Sequence, residues 1–329
     1  MNPIKDILIT GATGFVGAHL IKHYTKLGHN VTALGRAKIP PKALLETGAQ
    51  YFVGDITKDN LPQKTDILIH TAGLASDTAT WKELYNTNVN GTKNLIAKTK
   101  HKLFVYISSS SVYPISNAVH AENEIINPDN LNNYGKSKYL AEQVITKYKS
   151  YTILRPRAIY GTHDRVLLPR ILGMKKRNKI ISPCDLNKSI SMTNIDNLKT
   201  AIDLCVENTD LVSGKTYNIV DDNIYNLNDI IYELLTSIFQ QKLQLFSIPH
   251  SISKSLCKLF SVLNIESRLN KTSLDMICHN HLLDISKIKS ELGYESEFDF
   301  KTTLPMIKLW LSDKDITKFI EDPSKEPWL

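Results

Sequence analysis

The chain changes hydrophobic period almost at once. A short apolar run, Ile7-Leu8-Ile9, gives way to a segment ending at Leu27 in which Leu20, Tyr24 and Leu27 recur at helical spacing. Gly28-His29 ends that helix, and 30–34 reads as a second strand. Further runs rich in Val, Ile, Leu or Phe recur at 50–53, 66–70, 103–108 and 151–154, with helical segments between several of them, notably 81–98 and 134–149. Short continuous apolar strands alternating with helices predict a doubly wound α/β architecture, a parallel sheet covered on both faces. The alternation loosens after about residue 160. Residues 1–160 are therefore assigned to the sheet domain, with 191–220, including a strand at 216–220, rejoining it. Residues 161–329 form mainly a smaller, partly helical substrate-binding lobe, with a helix at 227–239. No Gly/Ser/Pro-rich linker separates the two, so the default substrate site is the cleft between them.

Composition changes this picture only by exclusion. Of 329 residues, 42% are hydrophobic and 22% charged, which removes disordered and collagen-like classes. No apolar run reaches the roughly 18–20 residues of a transmembrane helix, and residues 1–6 lack a signal-peptide pattern. The scattered cysteines, Cys184, Cys205, Cys257 and Cys278, read as reduced thiols of a cytoplasmic protein, against disulfides or zinc. The net charge of +7 is spread along the chain, and its one dense run, 175–179, reads as a solvated helix end, so no nucleic-acid partner is expected. In 243–263, Leu245, Ile248, Ile252, Leu256, Leu259 and Leu263 recur at helical spacing. A helix packed on the core is expected there, with a pocket roof or a membrane contact as the other readings.

Between the first strand and helix lies Thr10-Gly11-Ala12-Thr13-Gly14-Phe15-Val16-Gly17. Glycines at this spacing allow a tight turn, close backbone approach to a pyrophosphate and close helix–sheet packing. The helix N-terminus then offers free N–H groups to the phosphates. The second strand ends in Ala33-Leu34-Gly35-Arg36, without the acid that would bind a ribose 2′-hydroxyl. Arg36 favours NADP(H), with NAD(H) as the alternative. Asp55 follows the third strand, placed either to contact the adenine or simply to cap its loop.

A second motif, Tyr134-Gly135-Lys136-Ser137-Lys138, opens a helix and puts Tyr134 and Lys138 on one face. A phenol's pKa of about 10 is too high for a base at neutral pH, and a nearby ammonium lowers it. Tyr134 is thus the expected acid/base for a substrate hydroxyl or carbonyl, with hydride moving to or from nicotinamide C4. The run Ile107-Ser108-Ser109-Ser110-Ser111-Val112-Tyr113 puts hydroxyls at a sheet edge, where one can stabilise charge on the reacting oxygen. No metal-ligand spacing is present.

Together with His70-Thr71-Ala72-Gly73, Asn88-Val89-Asn90-Gly91-Thr92 and Arg155-Pro156-Arg157-Ala158-Ile159-Tyr160-Gly161, these motifs resemble the extended short-chain dehydrogenase/reductase family, NAD-dependent epimerase/dehydratase-like. The resemblance implies a Rossmann fold and a triad of Ser109 (with Ser110 as runner-up), Tyr134 and Lys138. It also implies cofactor contacts from Gly11, Thr13, Gly14, Phe15, Val16 and Gly17 in the turn, and from Asp55, Ile56, Thr71, Ala72 and Gly73 on the adenosine side. Asn88 would lie near the phosphates and water network, Ser108 would be a further cofactor contact, and Pro156 and Ala158 would lie near the nicotinamide amide. Within the family, Ser110-Ser111 replace the Asp-Glu pair of sugar-nucleotide dehydratases. The pattern is most similar to the 3β-hydroxysteroid dehydrogenase-like branch. It implies alcohol–ketone chemistry on a small apolar, sterol-like or acyl-chain substrate, and a homodimer is what the family suggests. A nucleotide-sugar epimerase with tightly held NAD and a non-catalytic cofactor sensor are the alternatives.

Overall fold

Seven short strands build one parallel sheet: β1 Asp6–Thr10, β2 Asn30–Gly35, β3 Gln50–Val53, β4 Ile67–His70, β5 Leu103–Ile107, β6 Tyr151–Pro156 and β7 Lys215–Ile219. Their order is β7-β6-β5-β4-β1-β2-β3. The structure is a computed structural model and describes residues 3–58, 60–76, 79–262, 271–325 and 328. The chain winds outward from β1 to β3, returns to β4 beside β1, and winds the other way to β7. The turning point lies between β1 and β4, where Thr10 pairs with His70, so a crevice opens past their C-terminal ends.

The alternation of side chains explains the two layers. Ile7, Ile9, Val105 and Leu154 face α1 (Phe15–Lys26) and a later helix, Ile195–Glu207, through Leu20, Leu198 and Ile202. Leu8, Leu68, Phe104 and Ile153 point the other way, onto Ala141 and Ile145 of α2 (Asn133–Ile145). Every residue of β4 and β5 is buried, as expected of central parallel strands. A separate apolar core, including Leu172, Ile231, Leu234 and Ile307, gathers helices Leu167–Leu172, Leu227–Phe239 and Phe300–Leu311 around Tyr160, just past the end of β6. Among the described residues, no helix is long and apolar enough to cross a membrane.

Several expectations are corrected. Cys184 and Cys278 form a disulfide across 94 residues, with Cα atoms 6.0 Å apart, while Cys205 and Cys257 are buried thiols. The lack of Cys-x-x-Cys spacing bears only on local pairs, so it could not exclude this one. Residues 175–179 are a β-hairpin, Lys175–Lys176 against Lys179–Ser182, turned through Arg177 at φ 55°. The stretch 243–263 is split: Gln244–Ser247 is a strand paired with Lys179–Ser182, and Pro249 separates it from helix His250–Val262. That helix buries Ser253 and Cys257 and leaves Ile252 and Leu259 half exposed, so the apolar spacing marks the outer side; Leu263 lies outside the described residues. Leu27 caps α1 from outside and is 57% exposed. The helix expected over 134–149 ends at Ile145.

Candidate active site

The glycine turn joins β1 to α1 across the crevice. Gly11 adopts φ +73°, and a Cβ there would lie 2.7 Å from Thr71 Oγ1 and 2.9 Å from the Ala72 nitrogen. A Cβ on Gly17 would overlap the Gly11 carbonyl oxygen, so the first turn of α1 closes on the loop only without side chains. Helix α1 starts at Gly14 with no side-chain cap and no acid in its first turn. Its leading N–H groups, those of Phe15 and Val16 among them, therefore lack the usual side-chain acceptor and meet no repelling charge. A side-chain-free cradle over open donors fits the pyrophosphate of a dinucleotide. The Thr13 carbonyl accepts from Arg165 Nη1 at 3.4 Å, and the Ala12 carbonyl accepts from the Trp328 indole at 2.7 Å, 316 residues away in sequence.

At the outer end of the crevice, Arg36 is exposed beyond β2. Asp55 accepts from the Thr57 N–H and hydroxyl at 2.9 and 2.8 Å, capping its loop. Burial pushes the Asp55 carboxyl up, but these bonds and the Arg36 charge outweigh it and hold the group below its usual range. The Ile56 side chain is core, packed beneath Gly91.

At the inner end, α2 delivers Tyr134 and Lys138. Asn132 caps it by accepting from Gly135 N–H at 2.8 Å. A Cβ on Gly135 would overlap the Ser111 carbonyl oxygen, so the helix sits directly on the serine loop. In that loop Ser109 Oγ accepts from Ser111 N–H and donates to Ser111 Oγ, both at 3.1 Å. Tyr134 is the residue before that contact on the helix, Ser109 lies two residues before it on the loop, and both are half-buried. Lys138 is buried; its Nζ donates to the Ile107 carbonyl at 2.8 Å and lies 4.7 Å from the centre of the Tyr106 ring. Burial pulls its ammonium down to about 8 against the opposing pull of Glu142. Asn88 is fixed by the Leu74 backbone at 2.7 and 3.1 Å and by Ser137 Oγ at 2.9 Å. An added Cβ on Gly73 would lie 3.2 Å from Asn88 Oδ1 and 3.5 Å from Lys138 Nζ, which places Gly73 among them.

Behind this surface runs a buried polar seam. Glu142, two turns past Tyr134, accepts from Arg155 Nη2 at 2.6 Å, Arg155 Nε at 3.0 Å and Ser108 Oγ at 2.6 Å. Arg155 Nη1 donates to Tyr113 Oη at 2.9 Å, and Tyr113 donates to Asn218 at 2.8 Å. Burial would lower the Arg155 cation, but the Glu142 carboxylate holds it above its ordinary value. Fully buried His70 bridges Thr10 Oγ1 at 2.7 Å and Thr92 Oγ1 at 3.0 Å; burial, then the Lys138 charge, pulls it down to about 3.

The structure thus brings Lys138, Asn88 and Gly73 together, seats the helix of Tyr134 on the loop of Ser109 through Gly135 and Ser111, and gathers Gly11, Gly17, Thr71 and Ala72 around the turn. Ser108 is turned away onto Glu142. Pro156 is buried in β6, and Ala158, at φ 43°, bends the chain out of it. Sequence reasoning missed Glu142, Ser137 and Gly135 as positioning residues. Glu142 was findable, because it continues the 134/138 face by one more turn.

A model of the NAD dependent epimerase/dehydratase family matches residues 7–220, and the chain belongs to that family, the extended short-chain dehydrogenases/reductases. It is an enzyme of the short-chain dehydrogenase/reductase type, in a family dependent on a nicotinamide dinucleotide. It is similar to a decarboxylating sterol-4-alpha-carboxylate 3-dehydrogenase of Candida albicans, 25% identical over 94% of this chain and 98% of the relative. It is also similar to a 2-alkyl-3-oxoalkanoate reductase of Stenotrophomonas maltophilia, 24% identical over 92% and 98%. In fold it resembles the UDP-glucuronic acid 4-epimerase of Bacillus cereus in complex with NAD, with a TM-score of 0.71, 21% identity and coverage of 98% and 99%.

Proposed function

We propose that the chain is an oxidoreductase, favouring NADP(H), that interconverts a secondary alcohol and a ketone on a small apolar substrate. The observation that carries this reading is the seating of α2, which bears Tyr134 and buried Lys138, on the serine loop that bears Ser109, through Gly135. Tyr134 exchanges a proton with the substrate oxygen, and the Ser109 hydroxyl donates to the same oxygen as charge develops there. The Lys138 ammonium stabilises the phenolate form of Tyr134. The glycine turn and the start of α1 hold the pyrophosphate, Asn88 fixes the loop after β4, and Arg36 meets the 2′-phosphate. When bound, the nicotinamide supplies or takes up the hydride. The names of the two sequence relatives, a 3-dehydrogenase and a 3-oxoalkanoate reductase, support alcohol–ketone chemistry on apolar skeletons.

The test is to follow cofactor absorbance with a panel of apolar ketones, sterols and nucleotide-sugars. Net oxidation of NADPH by a ketone is expected. Inversion of a sugar without net absorbance change would replace this reading with an epimerase. Tyr134→Phe should lower kcat by about 10²–10⁴-fold with cofactor affinity unchanged. Arg36→Ala should weaken NADPH far more than NADH, and equal effects would remove the argument for the phosphate.

A further inference from the structure

Arg157 is the first residue past β6, its N–H donating to Thr193 Oγ1 at 2.9 Å. It is only 7% exposed, and its Nε has no hydrogen-bond partner. No carboxylate among the described residues forms an ion pair with it. Burial lowers its cation to about 9, and no neighbouring charge restores it. An isolated buried cation is among the costliest groups a fold can hold, and large uncompensated charges normally find a partner.

The side chain lines a small cavity whose other walls include Ser110, Ser111, Asn132, Met276 and His281. Ser110 and Ser111 adjoin Ser109, and Asn132 is the cap of the helix that carries Tyr134, so the cavity shares walls with the reacting centre. His281 presents a second unsatisfied atom, Nε2. Burial and the Arg157 charge pull its imidazole down to about 3, so the ring is neutral and able to donate. The cavity measures about 30 Å³. One water needs roughly 10–15 Å³, so the space has room for about two water-sized groups, such as the two oxygens of a carboxylate.

We propose that Arg157, with His281 beside it, binds the carboxylate of the substrate. The enzyme then acts on a hydroxy- or oxo-acid whose carboxylate lies close to the carbon that is oxidised or reduced. Arg157 selects this substrate by pairing with its charge, and the apolar body extends out of the cavity. The inference rests on the oxidoreductase reading for its substrate class, while the anion site itself is testable separately.

The experiment is calorimetric titration of the cofactor-saturated protein with 3-hydroxydecanoate and with its methyl ester, which differ in charge and little in shape. The acid should bind about 10-fold or more tightly than the ester. Arg157→Gln should erase that difference by weakening the acid alone, and Arg157→Lys, which keeps the charge, should restore part of it. Unchanged ester binding by Arg157→Gln would show that the fold is intact. Tyr134→Phe should keep the preference while losing turnover. Equal binding of acid and ester to the unaltered protein, no binding of either, or a preference surviving in Arg157→Gln would each overturn the proposal. A clear preference with no NADPH oxidised by 3-oxodecanoate would instead sink the oxidoreductase reading and leave the anion site standing.

Discussion

Arg155 and Arg157 stand two residues apart at the end of β6 and are almost equally buried, at 6% and 7% exposure. Their surroundings are opposite. Arg155 lies in the closed seam behind the active surface, gripped by both oxygens of Glu142 and by Tyr113. Arg157 faces an open cavity beside that surface and has no counter-charge. Burial therefore does not separate a structural cation from a binding one; what separates them is whether the chain itself supplies the anion. The seam fixes α2 against β6, and so the position of Tyr134 and Lys138, whereas the cavity leaves a charge unanswered where a substrate would reach.

The largest test of this contrast is Glu142→Ala. It would leave Arg155, like Arg157, without a counter-charge, held only by its bond to Tyr113. A loss of about 3–5 kcal/mol in urea unfolding is expected, and a cost below about 1 kcal/mol would mean the seam contributes little.

A second test uses acid. His70 in the closed seam and His281 at the cavity are both held neutral, each near pKa 3 against an ordinary 6.5. Below pH 6.5 the unfolded chain takes up these protons first, so stability present above 6.5 is lost as pH falls towards 3. The slope should approach about 1.4 kcal/mol per pH unit for each histidine. His281→Phe should flatten the urea-midpoint profile by one proton's worth, and an unchanged slope would mean that His281 protonates freely in the fold.

The smallest effect is expected from Arg157→Met. Removing an unpaired buried charge should raise stability by about 1 kcal/mol, opposite in sign to the seam mutation. A loss of stability would show that Arg157 is already compensated within the protein.

Much of the fold was readable because it is local. β1 and β4–β6 are apolar runs, and the glycine turn and the Tyr134–Lys138 pair are short motifs with fixed geometry. What escaped was non-local. The Cys184–Cys278 disulfide joins residues 94 apart, and no spacing rule reaches that far. Residues 243–263 carry a helical period, yet Pro249 and the pairing of Gln244–Ser247 with Lys179–Ser182 override it. Arg157 was visible as part of a motif, but its lack of a partner exists only once β6, the serine loop and His281 are folded together.

The hydrogen bond from Trp328 to Ala12 ties the dinucleotide turn to a residue 316 positions away in sequence. The glycine signature is a local motif, but the support of its Ala12 carbonyl is not. A chain cut short of position 328 would carry the whole glycine signature and still lack that bond.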